Sequence, residues 1–195
     1  ESLAKIQDDL AGDVLFVFQP AEEGAPEGEE GGAELMLKEG LFNEKPDAVF
    51  GLHVTSSLNT GQIGFREGPL MASEDSFTIN VQGRQTHGSR PWNGVEMVAE
   101  SGGAKADVHI DHGYPVTVND VKLTQKMTPT LTKVAGAENI ITTDLITGAE
   151  DFSYYALETP GLFFFLGVTP QGQDAKTAAS NHSPQFFADE QALQL

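Results

Sequence analysis

Three short, continuous apolar runs constrain the fold of this chain more than any other feature. They are Val14–Phe18, Ala48–Val54 and Leu162–Leu166. Runs of this length are typical of strands that are buried on both faces, as in a parallel sheet. A helix is predicted from Ala33 to Phe42, between the first two runs, and alternation of strands with helices favours an α/β layer architecture. The sequence therefore predicts a mainly parallel sheet flanked by helices.

The middle of the chain has a different pattern. Apolar and polar residues alternate from Asp75 to Gln82 and again from Ala106 to Ile110. Such alternation is typical of half-exposed strands in an antiparallel sheet. We therefore predict a small α+β unit at residues 75–114, inserted into an α/β body that is formed by residues 1–74 and 115–195.

Helices are expected to resume after the inserted unit. Asn119 is a plausible N-cap, because its side chain can accept a hydrogen bond from a free backbone N–H of the first turn. Pro129 lies within the same helix and has no N–H to donate, so it is expected to kink or interrupt that helix. Glu150 and Asp151 open a further helix and could lie near a site, but helix-start carboxylates that the helix dipole favours are the better interpretation.

The charge balance excludes several classes of partner. With 29 acidic and 11 basic residues, the formal net charge is −18. Since no basic patch is available, nucleic acid and anionic membranes are poor partners. No apolar run approaches the ~20 residues that span a bilayer. The chain has no cysteine, which is compatible with a cytoplasmic location, and its start without Met leads us to expect that it begins within a longer protein.

Two adjacent carboxylates, Glu22 and Glu23, follow the first apolar run. Ligands of open α/β sheets bind beyond the carboxyl ends of the strands. At such a position one carboxylate can hold a metal ion while the other handles a proton. The alternative is a solvated acidic loop, since further glutamates follow closely and charged loop residues are usually exposed. Taken alone, the pair fits the acidic loop better.

Three histidines are candidates for the same site. His53 ends the second apolar run and is either a core residue or a metal ligand at the sheet edge. His182 lies between Asn181 and Ser183 in irregular backbone, where site residues are common, although a surface histidine fits as well. His87 ends the half-exposed strand and could reach a substrate across a cleft between domains or subunits, or could simply be exposed.

Six segments, taken together and in order, resemble the M20 metallopeptidase family, in the branch of N-acyl-amino-acid amidohydrolases, hippurate hydrolases and auxin-conjugate hydrolases. The segments are Phe18–Gly24, Gly51–Val54, Gly68–Ala72, Thr86–Pro91, Gly148–Ser153 and Asn181–Pro184. The resemblance covers nearly the whole chain. It implies a zinc-peptidase-like catalytic domain and an inserted dimerisation or lid domain.

The resemblance also implies roles for individual residues. Glu22 would be the general base that activates a water molecule, and Glu23, His53 and His182 would be metal ligands. His87 would belong to the lid domain and reach the substrate, often in the partner subunit's site. The family's sites hold two divalent ions, zinc or manganese and in some cases cobalt or nickel. The substrate would be a small N-acyl amino acid or peptide-like amide, and the intact protein would be a homodimer.

The chain departs from the family pattern in two places. The family carries a His-Ala-Cys-Gly-His-Asp-type metal motif before the paired glutamates, and this chain contains none. Near Gly94 and Val95, segments that the family separates by a long stretch are almost fused, so most of the lid domain is absent. Two hypotheses follow: a parent protein that is a metal-dependent amidohydrolase, or a catalytically silent, truncated remnant with a structural or binding role.

Overall fold

Short strands and helices alternate along most of the chain. The computed structural model describes residues 2–26, 28–82 and 105–194. None of the helices in these ranges is both long and apolar enough to cross a membrane. In chain order the elements are α1 (Ser2–Lys5), α2 (Gly32–Lys38), β1 (Val49–Asn59), β2 (Ile63–Phe65), β3 (Gly68–Met71), β4 (Asp75–Gln82), β5 (Lys105–His112), β6 (Thr117–Asn119), α3 (Val121–Ala135), β7 (Ile140–Thr142), α4 (Phe152–Glu158) and β8 (Gly161–Thr169). Single turns of 3-10 helix cover Gln7–Asp9, Ala137–Asn139 and Glu190–Gln194.

A four-stranded sheet in the order β1-β8-β2-β7 forms the centre of the molecule. Strands β1 and β8 run parallel, with Val49 opposite Gly161, and β2 runs parallel to β7. Only the contact between β2 and β8 is antiparallel. Two of the three pairings are therefore parallel, which confirms the predicted α/β architecture with a mainly parallel sheet.

Strand β8 organises the core because its two faces are both covered. Phe163 and Phe165 pack with Phe152 and Tyr155 of α4 on one face. On the opposite face, Leu166 and Val168 join a second apolar cluster that includes Ile63 and Phe65 of β2 and partly buried residues of α3. Successive side chains of a strand point to opposite faces, so an uninterrupted apolar run suits a strand between two layers. The prediction for Leu162–Leu166 is confirmed.

The prediction of a buried strand at Val14–Phe18 is wrong. This segment has no strand assignment, and Leu15, Phe16 and Phe18 are exposed, with Phe18 87% exposed. Val17 alone in the segment packs against the core cluster around Phe163. An apolar run forms a buried strand only where neighbouring elements cover it. Within the described ranges, no strand pairs with residues 14–18.

Strand β1 lies at one edge of the central sheet, and β7 lies at the other. A strand at this position is confirmed and extends to Asn59, but burial on both faces is not, because Phe50 and Leu52 are about half exposed. Only β8 pairs with β1 in the described part of the chain. The second apolar run therefore covers the core with one face and presents its other face outward.

Asn119 is not the N-cap of a helix. It lies in β6, and the cap of α3 is Asp120, whose Oδ1 accepts a hydrogen bond from the Leu123 backbone N–H at 2.7 Å. The buried Asn119 amide instead donates to the carbonyl oxygens of Arg66 and Phe163 and accepts from the Phe163 N–H. The predicted interruption at Pro129 is also wrong, since α3 continues through it to Ala135.

Strands β4 and β5 form a separate antiparallel pair, as the alternating pattern predicts. Phe77 lies opposite Ile110, and Ile79 lies opposite Val108, so the apolar side chains share one face of this two-stranded sheet. All four are more than half exposed. Strands β3 and β6 form another two-stranded sheet. In the chain, β3 directly precedes β4 and β6 directly follows β5.

Candidate active site

One cavity of about 540 Å³ brings together residues that are distant in the sequence. Four of the five predicted site residues line it, namely Glu22, Glu23, His53 and His182. His87 lies outside the described residues. The lining is completed by polar and apolar residues from the neighbouring elements: Gly24, Met71, Glu74, Tyr114, Ala149, Glu150 and Phe165.

His53 is oriented by the strand that carries it. Its Nδ1 lies 2.6 Å from the carbonyl oxygen of Val54, and its ring packs against Phe165 with centroids 5.9 Å apart. Because a carbonyl oxygen can only accept, Nδ1 carries the hydrogen in this contact and Nε2 keeps its lone pair. A histidine whose second nitrogen donates to a carbonyl is the usual arrangement of a metal ligand.

The loop that carries His182 is fastened to the same strand by its neighbour Asn181. The Asn181 Nδ2 donates to the Val54 carbonyl oxygen at 2.8 Å, and its Oδ1 accepts from the Ser56 N–H at 3.2 Å. His182 itself has a backbone φ of +68°, in the left-handed region that non-glycine residues seldom adopt. Such a conformation persists only where surrounding contacts hold it, and it is common at functional sites.

Glu23 and His182 meet at the mouth of the cavity. The His182 Nε2 lies 3.3 Å from the Glu23 Oε1, and both side chains are 68% exposed. As an ion pair this exposed contact contributes little to stability. Two ligand atoms bound at about 2.0–2.1 Å to a tetrahedral zinc ion lie about 3.3 Å apart. The pair therefore has the spacing of two ligands of one ion.

Glu22 is half-buried beside this pair. Its carbonyl oxygen accepts a hydrogen bond from the Tyr114 hydroxyl at 2.7 Å, which holds the backbone from which the carboxylate projects. Burial raises the pKa of Glu22 above its usual range, and the negative charges of Asp151 and Glu23 raise it further. A carboxylate with a raised pKa is a stronger proton acceptor near neutral pH.

Glu150 and Asp151 are part of the site, although the sequence favoured their interpretation as helix-start carboxylates. Oxygen atoms of Glu22, Glu150 and Asp151 lie within 4.8 Å of one another, and Glu150 and Asp151 are buried. Burial, followed by the charge of Glu22, raises the pKa of Glu150 to about 7. Of these two side chains, only that of Glu150 bonds to the first turn of α4, where its Oε1 accepts from the Phe152 N–H at 3.4 Å. The sequence does contain a signal for this role. Both carboxylates directly precede a helix rich in apolar residues, and that position predicts that their side chains are buried.

Two sets of donor atoms are thus candidates for holding a cation. The first is the carboxylate group of Glu22, Glu150 and Asp151, but the Asp151 Oδ2 is already engaged by two N–H donors of the protein. The second combines the imidazoles of His53 and His182 with the Glu23 carboxylate. Of the two sets, only the first has all its ligand atoms within 4.8 Å of one another among the described residues. Imidazole nitrogen with carboxylate oxygen is the donor set of zinc-type ions, so by donor chemistry the second set is the better match for a divalent transition metal.

Nearly the whole of this chain matches known proteins in sequence and in fold. The family described as peptidase family M20/M25/M40 matches residues 1–194. Thermostable carboxypeptidase 2 of Saccharolobus solfataricus is 27% identical over 266 aligned positions, which cover 99% of this chain and 65% of that protein. An N-acyl-L-amino acid amidohydrolase of Geobacillus stearothermophilus is 37% identical over 109 residues, covering 56% of this chain and 28% of that protein.

A solved structure shows the same fold. The crystal structure of the Bacillus subtilis YxeP protein, described as a dinuclear metal-binding peptidase from the M20 family, superimposes with a TM-score of 0.73 at 24% identity. The match covers 99% of this chain and 64% of that one. This chain thus spans slightly less than two thirds of the length of the carboxypeptidase and of YxeP. Since the family match extends over essentially every residue and the α/β architecture is shared, the chain belongs to peptidase family M20/M25/M40.

Proposed function

We propose that the intact protein is a metal-dependent amidohydrolase that cleaves the amide bond of N-acyl amino acids or related small amides. The observation that carries this proposal is the convergence of Glu22, Glu23, His53 and His182 on one cavity, with 3.3 Å between Glu23 and His182. The relatives named an N-acyl-L-amino acid amidohydrolase and a carboxypeptidase support the same type of bond. A cavity of about 540 Å³ suits a small substrate.

Glu23, His53 and His182 would hold the divalent ion. His53 would bind through Nε2, because its Nδ1 donates to Val54. Three protein ligands with one open position are sufficient for a catalytic zinc ion. The bound ion supplies Lewis acidity, which polarises an amide carbonyl and makes water more acidic. By analogy with the dinuclear YxeP we propose two divalent ions per site, with zinc or manganese as first candidates and cobalt or nickel as further ones.

Glu22 would act as the general base and then as the general acid. Its carboxyl group shares a hydrogen bond with Glu150, and its raised pKa allows it to take a proton from water. The same carboxyl group can then pass this proton to the nitrogen of the leaving amine. The hydrogen bond from the Tyr114 hydroxyl to the Glu22 carbonyl oxygen would fix the backbone that carries this carboxylate.

We further propose that residues 75–114 belong to a lid and dimerisation domain, within which His87 reaches the substrate. The separate β4–β5 sheet with its exposed apolar face, which includes Phe77 and Ile110, supports this division. The remaining residues, 1–74 and 115–195, would form the catalytic domain. A homodimer in the cytoplasm is the expected state of the intact protein. Sedimentation of the intact protein as a monomer at all concentrations would contradict the dimerisation role.

Amine release from a panel of N-acyl amino acids tests the proposal. The protein is stripped with a chelator, reloaded separately with zinc, manganese, cobalt or nickel, and supplied with N-acetyl and N-benzoyl amino acids. We expect hydrolysis that disappears with the chelator and returns with at least one metal. Absence of hydrolysis with every metal, together with an intact mass near 20.9 kDa, would instead support the catalytically silent remnant. A much larger intact mass would support the parent enzyme.

A further inference from the structure

Asp151 is a buried carboxylate whose hydrogen bonds point away from its own helix. It occupies the N-cap position of α4, yet its side chain makes no cap hydrogen bond, and only 2% of the residue is exposed. Its Oδ2 accepts one hydrogen bond from the Gln19 Nε2 at 2.6 Å and another from the Ala33 N–H at 2.8 Å. These donors lie more than a hundred residues away in the sequence.

The two donors are the two ends of the loop that carries Glu22 and Glu23. Gln19 directly precedes this loop, and Ala33 follows it in α2. Between them, the Gly32 N–H donates to the Pro20 carbonyl oxygen at 3.1 Å, which closes the neck of the loop. A single carboxylate oxygen of Asp151 therefore joins both sides of the neck.

The neck has no room for a side chain at Gly32. This residue has a φ of +70°, and a Cβ atom built on it would lie 2.6 Å from the Asp151 Oδ2. Glycine is the residue that adopts this conformation without strain, and its lack of a Cβ allows the carboxylate to approach the backbone closely. The local sequence is thus adapted to the contact with Asp151.

Tyr155 sets the orientation of the Gln19 amide. Its hydroxyl lies 2.7 Å from the Gln19 Oε1, and Tyr155 is buried next to Phe152. Because a carboxylate only accepts, the amide nitrogen of Gln19 faces Asp151 and its oxygen faces the tyrosine hydroxyl. Asp151, at the start of α4, and Tyr155, one turn later, therefore both bond to Gln19 at the beginning of the loop.

We infer that Asp151 is a positioning residue of the active site, which holds the neck of this loop closed and thereby places Glu22 and Glu23 over the cavity. The inference rests on the proposed function. A buried carboxylate held only by neutral donors is costly compared with an apolar side chain of similar size. Within the described residues Asp151 has no salt-bridge partner, so stability alone does not explain a carboxylate at this position.

Comparison of Asp151→Ala with Asp151→Asn tests this inference. An asparagine keeps one carbonyl oxygen that can accept from both Gln19 and Ala33, whereas alanine keeps none. For Asp151→Ala we expect faster hydrogen exchange at the Ala33 amide in the metal-free protein and zinc affinity lowered by about tenfold or more. The kcat should fall by about a hundredfold while KM changes much less, because misplaced groups affect the transition state most. Asp151→Asn should restore most of each loss.

Two results would overturn the inference. One is an Asp151→Ala protein with Ala33 exchange, zinc affinity and kcat equal to those of the unmodified protein. The other is an Asp151→Asn protein that loses as much zinc affinity as Asp151→Ala. That result would make Asp151 a metal ligand, since an asparagine is a poor substitute for a carboxylate ligand but an adequate hydrogen-bond acceptor.

Asp120→Ala is the matched control for lost stability. It removes a structural carboxylate that caps α3 through the Leu123 N–H and does not line the cavity. It should lower the thermal midpoint while leaving zinc affinity and kcat unchanged. If the unmodified protein neither binds zinc nor hydrolyses any amide, the proposed function fails. In that case the Ala33 exchange rate still decides whether Asp151 holds the loop closed, because it is measured without metal.

Discussion

His53 and Asn181 donate hydrogen bonds to the same acceptor, the carbonyl oxygen of Val54. The distances are 2.6 Å from the His53 Nδ1 and 2.8 Å from the Asn181 Nδ2. One backbone atom of β1 thus orients one predicted metal ligand directly and the loop of the other, His182, through its neighbour. The relative position of the two imidazoles is therefore set by the sheet.

Asn181→Ala should weaken metal binding with little loss of secondary structure. The variant loses the hydrogen bonds that hold the His182 loop to Val54 and Ser56. The loop then loses its conformational freedom only when the ion binds, and this entropy cost lowers the metal affinity. Loss of such a supporting contact typically costs about 10–100-fold in metal affinity. Competition with a chromophoric zinc chelator measures the change. Asn139→Ala is the control, because that side chain donates to the Ala135 carbonyl oxygen at the end of α3 and should leave affinity unchanged. An Asn181→Ala protein with the unmodified affinity would show that the loop needs no such support.

Glu22→Gln should abolish turnover and leave the metal content nearly unchanged. Glutamine has the size of glutamate but cannot take a proton from water, and loss of a general base costs about 10²–10⁴-fold in rate. Steady-state hydrolysis of an N-acyl amino acid gives the rate, and elemental analysis of the same sample gives the metal content. Hydrolysis at the normal rate by this variant would refute the role of Glu22 as base.

The stability of the metal-free protein should fall as the pH rises through the titration range of Glu150. Its pKa is raised from 4.5 to about 7 in the folded protein, so between these values the folded state binds more protons than the unfolded chain. The free energy of unfolding therefore decreases as pH rises across this window. Burial raises the pKa of Glu22 and Asp151 as well, which acts in the same direction.

Urea unfolding at about pH 5 and about pH 8 measures this effect. Glu150→Gln cannot ionise, so it should show a smaller decrease in unfolding free energy between the two conditions than the unmodified protein. Glu138→Gln, at an exposed 3-10 turn, is the control and should behave as the unmodified protein does. An identical pH dependence in the Glu150→Gln variant would mean that Glu150 titrates normally.

The parts of the fold that follow from local pattern were predictable, and those that depend on tertiary neighbours were not. The Leu162–Leu166 run and the alternation from Asp75 to Gln82 each predict a strand, and both strands form as predicted. The run at Val14–Phe18 carries a similar pattern, but a strand also needs a partner. Pattern alone contains no information about that partner.

The same distinction applies to the site. The ordered segments around Glu22, His53 and His182 predicted residues that the structure brings to one cavity. The sequence predicts Asn119 as an N-cap because Asn favours such positions, and it favours Asp151 as a helix-start carboxylate because of the helix dipole. Asn119 lies in a strand, whereas Asp151 does stand at the start of α4. Both are buried and bond to groups from distant parts of the chain, which sequence spacing does not reveal. Their roles became visible only through hydrogen bonds between elements.

Asn119→Ala should destabilise the fold strongly. The change leaves the Arg66 carbonyl and the Phe163 backbone groups without their partner in a buried position. Unsatisfied buried polar groups cost about 1–3 kcal/mol each, so we expect a loss of about 2–4 kcal/mol in the free energy of unfolding. Urea titration measures it, and Asn80→Ala on the exposed strand β4 serves as control. A loss comparable to that of the control would show that water replaces the amide.

X-ray absorption spectroscopy of the zinc-loaded protein tests the ligand assignment most directly. If Glu23, His53 and His182 hold the ion, the spectrum shows nitrogen and oxygen neighbours at about 2.0–2.1 Å with the outer scattering of imidazole rings. His53→Ala and His182→Ala should then each remove one imidazole from the coordination sphere, and Glu23→Ala should lower zinc occupancy without removing any. An imidazole contribution that is absent, or that neither histidine variant changes, would contradict the proposed site.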